Sequence, residues 1–341
     1  MGQNRHVGPE PSSDDVPRPW PGAWHDALYG SGGFYRSAPP ARHFATSAQG
    51  IPGGGEVLAA AVAELAHRHG CTRVVDVGAG GGELLAAVHE IDPELALVGV
   101  DVVDRAPPGT GMPWLVSPGG AALPDGLAGP GRTLAVGHEW LDVVPCPVVE
   151  RDASGSWREV LVRRDGVEVL GPAVAGDDLG WLERWVPEDV ARAEVGLPRD
   201  RAAADLLARL GDGVLLLVDY GHEREARPPG GSLTGYRDGR QVAPVPDGSC
   251  DVTAHVALDS LVDGLRGEGR RVELTSQRDA LADLLPGADA PVPHELARSR
   301  PTAYLRALAR RAALGALSAP GGLGDFGWVT VVVPPPGGAA Q

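Results

Sequence analysis

Lysine is absent from this chain of 341 residues: all 30 basic side chains are arginine, and they face 45 acids, for a formal net charge of −15. That balance excludes a broad nucleic-acid or anionic-membrane surface, because phosphate recognition needs a basic face. It leaves a cationic partner open. Aromatics are scarce at 5%, so Val, Leu and Ala must fill the core, for which a hydrophobic content of 43% is adequate. The three cysteines, Cys71, Cys146 and Cys250, lie far apart with neither a C-x-x-C pair nor zinc spacing. They argue against a disulfide framework and for a reducing, cytoplasmic setting, and no metal is expected. No apolar run reaches the length of a membrane span. The start, "MGQNRHVGPEPSSDDVPRPWPG", lacks the apolar core of a signal peptide and reads, over residues 1–28, as a disordered leader. Residues 334–341 read as a Pro/Gly tail. Because 49 Gly and 32 Pro accompany abundant Ala, most single glycines and prolines carry little information.

Between those ends, continuous apolar runs alternate with helical patterns. "GEVLAAAVAELAHRH" has apolar spacing of three and four and predicts a helix. "TRVVDVGAGGG" predicts a buried strand breaking into a glycine turn, and "GELLAAVHEI" a second helix. "LALVGVDVV", "MPWLVS", "RTLAVGHEW" and "GVLLLVDYG" are further strands, the last the clearest of all. Strands apolar throughout, alternating with helices, imply a mostly parallel α/β sheet covered on both faces. Residues 146–195 break the pattern: "PVVERDASGSWREVLVRRDGVEVLGP" alternates apolar and polar residues between turn signals, which predicts an antiparallel β-ribbon insertion that, together with the N-terminal segment 29–50, is expected to cover the ligand crevice of the sheet. "TAHVALDSLVDGL" is expected to be a helix, and "GWVTVVV" a last strand. One domain over 29–333 accommodates all of this.

The strongest chemical signal is "VVDVGAGGGEL". A strand carrying Asp76, then Gly78, Gly80 and Gly82, then a helix, lets backbone approach a nucleotide-like ligand closely. The dinucleotide fingerprint wants a third glycine at position 83, where this chain has Glu83, so NAD is disfavoured. Asp101, leaving the second strand, has the spacing of an acid that accepts ribose hydroxyls. The D-x-G-x-G form resembles motif I of class I S-adenosylmethionine (SAM) methyltransferases, a Rossmann-like fold. That resemblance implies SAM as cofactor, an acid organising its ammonium, and a last strand inserted antiparallel beside the fifth. Where many such enzymes carry an acid for the adenine, "SPGGAALPDG" has Gly120, with Asp125 a poor substitute.

Five stretches together resemble the MidA-like family of methyltransferases, linked to protein arginine methylation and respiratory complex I assembly. They are "GGFYRSAPPARHFATSAQ", "VVDVGAGGG", "HEWLDVVPC", "LLLVDYGHE" and "GSCDVTAHVALDSL". His43, Gln49 and His138 depart from the family pattern beside the presumed substrate pocket. The resemblance implies methyl transfer to a nitrogen, foremost that of a protein arginine. A small-molecule acceptor or a catalytically silent assembly factor are the alternatives.

"HEWLDVVPC" follows the fourth strand, and ligands of open α/β sheets bind at the strands' carboxyl ends. Glu139 and Asp142 can grip a guanidinium fork bidentately and stabilise it as one nitrogen turns nucleophilic, and Trp140 can pack on its face. The competing reading makes Asp142 a turn cap and Trp140 core. Asp219 and Tyr220 end the fifth strand, so they are either near the substrate or structural. Asp251 reads first as a helix N-cap, with His255 one turn on, either at the substrate or a core histidine.

Overall fold

The computed structural model describes residues 16–37, 51–107 and 110–334. The apolar runs form the central sheet: β1 (Arg73–Val77), β2 (Ala96–Asp101), β3 (Trp114–Val116), β4 (Thr133–His138), β5 (Gly213–Asp219), β6 (Arg271–Ser276) and β7 (Gly327–Val333). Their order is β6-β7-β5-β4-β1-β2-β3. Neighbours from β3 through β5 are parallel, whereas β7 runs antiparallel to both β5 and β6. This is the sheet expected of a class I methyltransferase, including the inserted last strand.

The period of two along a strand sorts side chains to opposite faces. Val214, Leu216 and Val218 of β5 enter one core with the helices Gly54–Arg68, Glu83–Ile91, Gln277–Leu284 and Pro301–Leu317. Leu215 and Leu217 enter the other, with Leu197–Leu210 and Leu258–Leu265. Full burial of each such side chain contributes roughly 1.5–3 kcal/mol, which is how a core poor in aromatics holds.

Residues 146–195 contain four strands, Val148–Arg151, Trp157–Val162, Glu168–Ala173 and Arg192–Glu194, paired antiparallel. A helix, Gly176–Trp185, interrupts them.

The leader expected over residues 1–28 is corrected from Arg18 onward. Arg18–Pro19 adds to the ribbon, and Trp20–Tyr29 is a helix with a proline in its first turn. Trp20, Ala23, Trp24, Ala27 and Leu28 recur at helical spacing, and all are buried. The Trp24 indole donates to the Val252 carbonyl (2.7 Å) and the Trp20 indole to the Glu168 carboxylate (2.7 Å). Residues 1–15, the tail from 335, and His43 and Gln49 lie outside the described residues.

No helix among the described residues is long and apolar enough to cross a membrane.

Candidate active site

The carboxyl ends of β1, β2 and β4 open on one cavity. Its lining includes Asp76, Gly78, Gly80, Glu83, Asp101, His138, Glu139, Trp140, Asp142 and Asp251, with Tyr29 and Tyr35. Six of these are carboxylic acids, and no arginine is among the described residues that line it.

At one end the chain leaves β1 through a turn in which Gly78, Gly80 and Gly82 take φ of 82°, 60° and 78°, a region costly for side chains bearing Cβ. The Gly80 amide donates to Asp101 Oδ2 (2.9 Å), so the acid of β2 is aimed by the turn itself. Gly82 does not line the cavity; it precedes the helix Glu83–Ile91, and a Cβ there would meet the Pro107 ring at 2.9 Å. Glu83, the residue that breaks the dinucleotide fingerprint, accepts the Gly81 amide (3.0 Å) and closes the turn. Burial, then Asp101 and Glu83, push Asp76 up to about 7. A glycine turn that lets a ligand approach the backbone, beside two acids, suits a cofactor carrying an ammonium and a ribose. S-adenosylmethionine fits this set; Asp76 would face the ammonium and Asp101 the ribose. Asp125 is excluded from the adenine end: it is fully exposed, 3.7 Å from Arg209. Ser117, Gly119 and Gly120 line that part, and a Cβ on Gly119 would strike the Tyr29 ring.

A pH dependence follows for Asp76. With its folded value raised, the neutral acid is favoured below about 7. Its contribution to apoprotein stability is therefore fully present below the ordinary carboxyl range and is lost as pH rises through 7. Cofactor affinity takes the opposite sign, because an ammonium needs the carboxylate. Calorimetry with SAM should show affinity rising about tenfold per pH unit up to that value, then levelling. Asp76→Asn should flatten the profile and weaken binding. A wild-type affinity independent of pH would remove Asp76 from the cofactor.

At the other end stands the loop after β4. Glu139 has φ of 50°, one of two non-glycine residues among those described with positive φ, and its amide is tied to the Val218 carbonyl of β5 (2.8 Å). Such a conformation costs on the order of 1–3 kcal/mol and is retained only where the surroundings over-determine it. Asp219, at the end of β5, is the fixing element: its Oδ2 accepts the amides of Leu141 (2.9 Å) and Asp142 (3.1 Å). The Asp142 carboxylate accepts the Tyr220 hydroxyl (2.7 Å) and the Thr253 hydroxyl (2.6 Å) through Oδ2, while its Oδ1 is buried without a hydrogen-bond partner. Beneath them, buried Arg199 directs its donors at the carbonyls of Asp142, Val144, Ala254 and His255, at 2.7–3.1 Å. Its charge lies under the loop, but its hydrogens are not offered to the carboxylates.

Burial raises Asp142, Asp219 and Asp251, and each is raised further by its acidic neighbours, Glu139 among them. The charged form of each is thus disfavoured by a neighbouring carboxyl. His138 is pushed down to about 4 by burial and is neutral at ordinary pH; its Nδ1 lies 3.7 Å from Glu139 Oε1, a contact of dipole and charge rather than an ion pair.

The structure thus brings Asp76, Gly78, Gly80, Asp101, His138, Glu139, Trp140 and Asp142 to one cavity. It sets Gly82, Asp219, Tyr220 and His255 outside the lining. Tyr220 and His255 pack edge to face behind Asp142, with ring centroids 5.3 Å apart. Trp140 sits in the floor, its indole donating to the Gly120 carbonyl (3.3 Å). Asp251 is not a helix cap. It begins a short strand, Asp251–Thr253, a second one follows at Val256–Ala257, and the helix starts only at Leu258. β-branched Val252 and Thr253 were the sequence signal for extended chain. Tyr29, at the end of the N-terminal helix, and Tyr35, in the short helix Phe34–Ser37, were not singled out as site residues. The N-terminal segment expected to cover the crevice supplies Tyr29 and Tyr35 to the lining, whereas the ribbon of residues 146–195, expected to share that role, supplies none of the described lining and packs behind the Trp20–Tyr29 helix.

Residues 121–273 match the model of a family described as "putative S-adenosyl-L-methionine-dependent methyltransferase". That span begins before β4 and includes the loop after it and the Asp251 strand. A crystal structure from Burkholderia thailandensis, of a COG1565 superfamily member bound to S-adenosyl-homocysteine, is 24% identical with a TM-score of 0.70, covering 93% of this chain and 88% of that one. A native crystal structure of a COG1565 superfamily protein from the same organism is 23% identical with a TM-score of 0.69, covering 93% and 87%. These two share the fold. No curated protein matches the chain.

Proposed function

We propose that this chain, an S-adenosylmethionine-dependent methyltransferase by its family match and its fold, methylates a nitrogen of a protein arginine. The observation that supports the acceptor is the cavity's acidity: Glu139, Asp142 and Asp251 line it, with no arginine among the described lining. Gathering carboxyls in one buried cavity is expensive for their charged forms, so the site suits a cation that enters and leaves. Guanidinium suits it better than ammonium. It is planar, carries five donors in a fixed fork, and is more weakly hydrated, so it loses less on entering.

Bound S-adenosylmethionine supplies a methyl group already activated by its sulfonium. The chain contributes alignment and electrostatics. Glu139, on its fixed backbone, holds one edge of the guanidinium. Asp142, with Oδ2 occupied by Tyr220 and Thr253, offers Oδ1 to a second nitrogen. As the methyl passes to a guanidinium nitrogen and its carbon–sulfur bond gives its electron pair to sulfur, leaving neutral S-adenosylhomocysteine, the proton that the nitrogen loses would pass to one of these carboxylates and then to solvent.

Incubation with radiolabelled S-adenosylmethionine and host lysate tests the acceptor. Label should enter protein and be released by acid hydrolysis as methylarginine. Label in the small-molecule fraction would replace this reading with a metabolite methyltransferase. Cofactor binding without any transferred label would leave an assembly factor that keeps the fold as a binding module.

A further inference from the structure

We propose that Asp251, oriented by Tyr35, is a second wall of the acceptor site that contacts the substrate cation and selects charged over neutral acceptors; this rests on the arginine reading above. Asp251 lines the cavity yet is only 4% exposed, and its Oδ1 accepts the Tyr35 hydroxyl at 2.7 Å. No salt bridge to it is found among the described residues. Buried Arg199, which bonds the Ala254 carbonyl, points its donors at backbone carbonyls.

The strand that carries Asp251 is rigid. It pairs antiparallel with Thr234–Arg237, the Trp24 indole bonds the Val252 carbonyl, and the Ala254 amide bonds the Asp142 carbonyl (3.1 Å). Asp251 and Asp142 are therefore coupled through backbone as well as through charge. A site on a strand tied in this way is held more closely than one on a loop. Asp142 Oδ1, buried and without a hydrogen-bond partner, is an independent sign that a donor is missing from this end of the cavity.

Tyr35 is held from the cofactor side. Arg105, 4.0 Å from Asp101, donates to the Tyr35 carbonyl (2.6 Å), and Arg36 bridges the carbonyls of Tyr29 (2.7 Å) and Val102 (3.2 Å). The rings of Tyr29 and Tyr35 lie 5.7 Å apart. The segment that aims Asp251 is thus fastened to the loop that follows the ribose acid. A cation entering between Glu139, Asp142 and Asp251 would meet carboxylates from two separate elements, with tyrosine rings alongside.

The experiment measures calorimetric binding of N-acetyl-arginine-N-methylamide to protein saturated with S-adenosylhomocysteine, beside its neutral citrulline and cationic lysine counterparts. Wild type should prefer the arginine compound. Asp251→Asn preserves the acceptor for the Tyr35 hydroxyl and removes only charge. It should weaken cation binding about tenfold, leave citrulline binding and S-adenosylhomocysteine affinity unchanged, and not lower the melting temperature. Tyr35→Phe should give a smaller loss in the same direction. Preference for the lysine compound, with the Asp251→Asn loss intact, would sink the arginine reading and keep this contact. Equal cation affinity in wild type and Asp251→Asn, or no preference of wild type for either cation over citrulline, would overturn the contact.

Discussion

Glu139→Gln should bind S-adenosylmethionine as tightly as wild type and turn over about 10²–10³ times more slowly, the range for losing one preorganised electrostatic group. The substitution keeps shape and backbone preference, so the positive φ at 139 and the bond to Val218 survive. On the proposed function, it removes the charge that would stabilise the acceptor as its nitrogen attacks. The cofactor cradle, formed by the turn after β1 and by Asp101, is untouched. Asp142→Asn should be milder, because the amide oxygen can still accept from Tyr220 or Thr253. Single-turnover rates, cofactor affinity and melting temperature need to be taken on the same preparations. A Glu139→Gln protein that melts lower but reacts at the wild-type rate would make the residue structural.

Gly80→Val should abolish cofactor binding, a loss on the order of 10²-fold or more. A β-branched residue at φ near +60° is strained by roughly 1–3 kcal/mol, and relaxing that strain turns the amide that orients Asp101. The isopropyl group would also stand in the cavity that Gly80 lines. Titration with S-adenosylhomocysteine should yield no heat, while far-ultraviolet circular dichroism stays that of the folded sheet. Retained affinity in a folded variant would place the cofactor elsewhere.

The central sheet was legible because its strands are buried on both faces and so read as unbroken apolar runs; "GVLLLVDYG" admits no other reading. The glycine turn was legible because φ above zero leaves little choice of residue. Glu83 was informative twice: it argued against a dinucleotide, and in the structure it closes the turn from its own side chain. What stayed hidden depended on contacts between distant segments. Nothing near Asp219 says that its carboxylate will hold two amides 77 and 78 residues away. The Trp20–Tyr29 helix was obscured by prolines in a compositionally biased start, although its apolar spacing was present. Asp251 was misread because a Val/Thr run ahead of a true helix was absorbed into it. In both cases local periodicity carried the answer and neighbouring composition outweighed it.

The position of β7 has a consequence for synthesis. Its residues, 327–333, lie in the interior of the sheet, yet they emerge from the ribosome after every other described strand. Until they do, β5 presents an open edge of Val and Leu, and β6 has no partner among the described strands. The nascent chain can assemble β1 to β5 early but cannot close the sheet, and an unpaired apolar edge is where chains join to one another. Translation that stalls or terminates shortly before residue 327 would release a molecule with its glycine turn and its acidic loop in sequence but its sheet split in two. Such a product should be a client of chaperones rather than a weak enzyme.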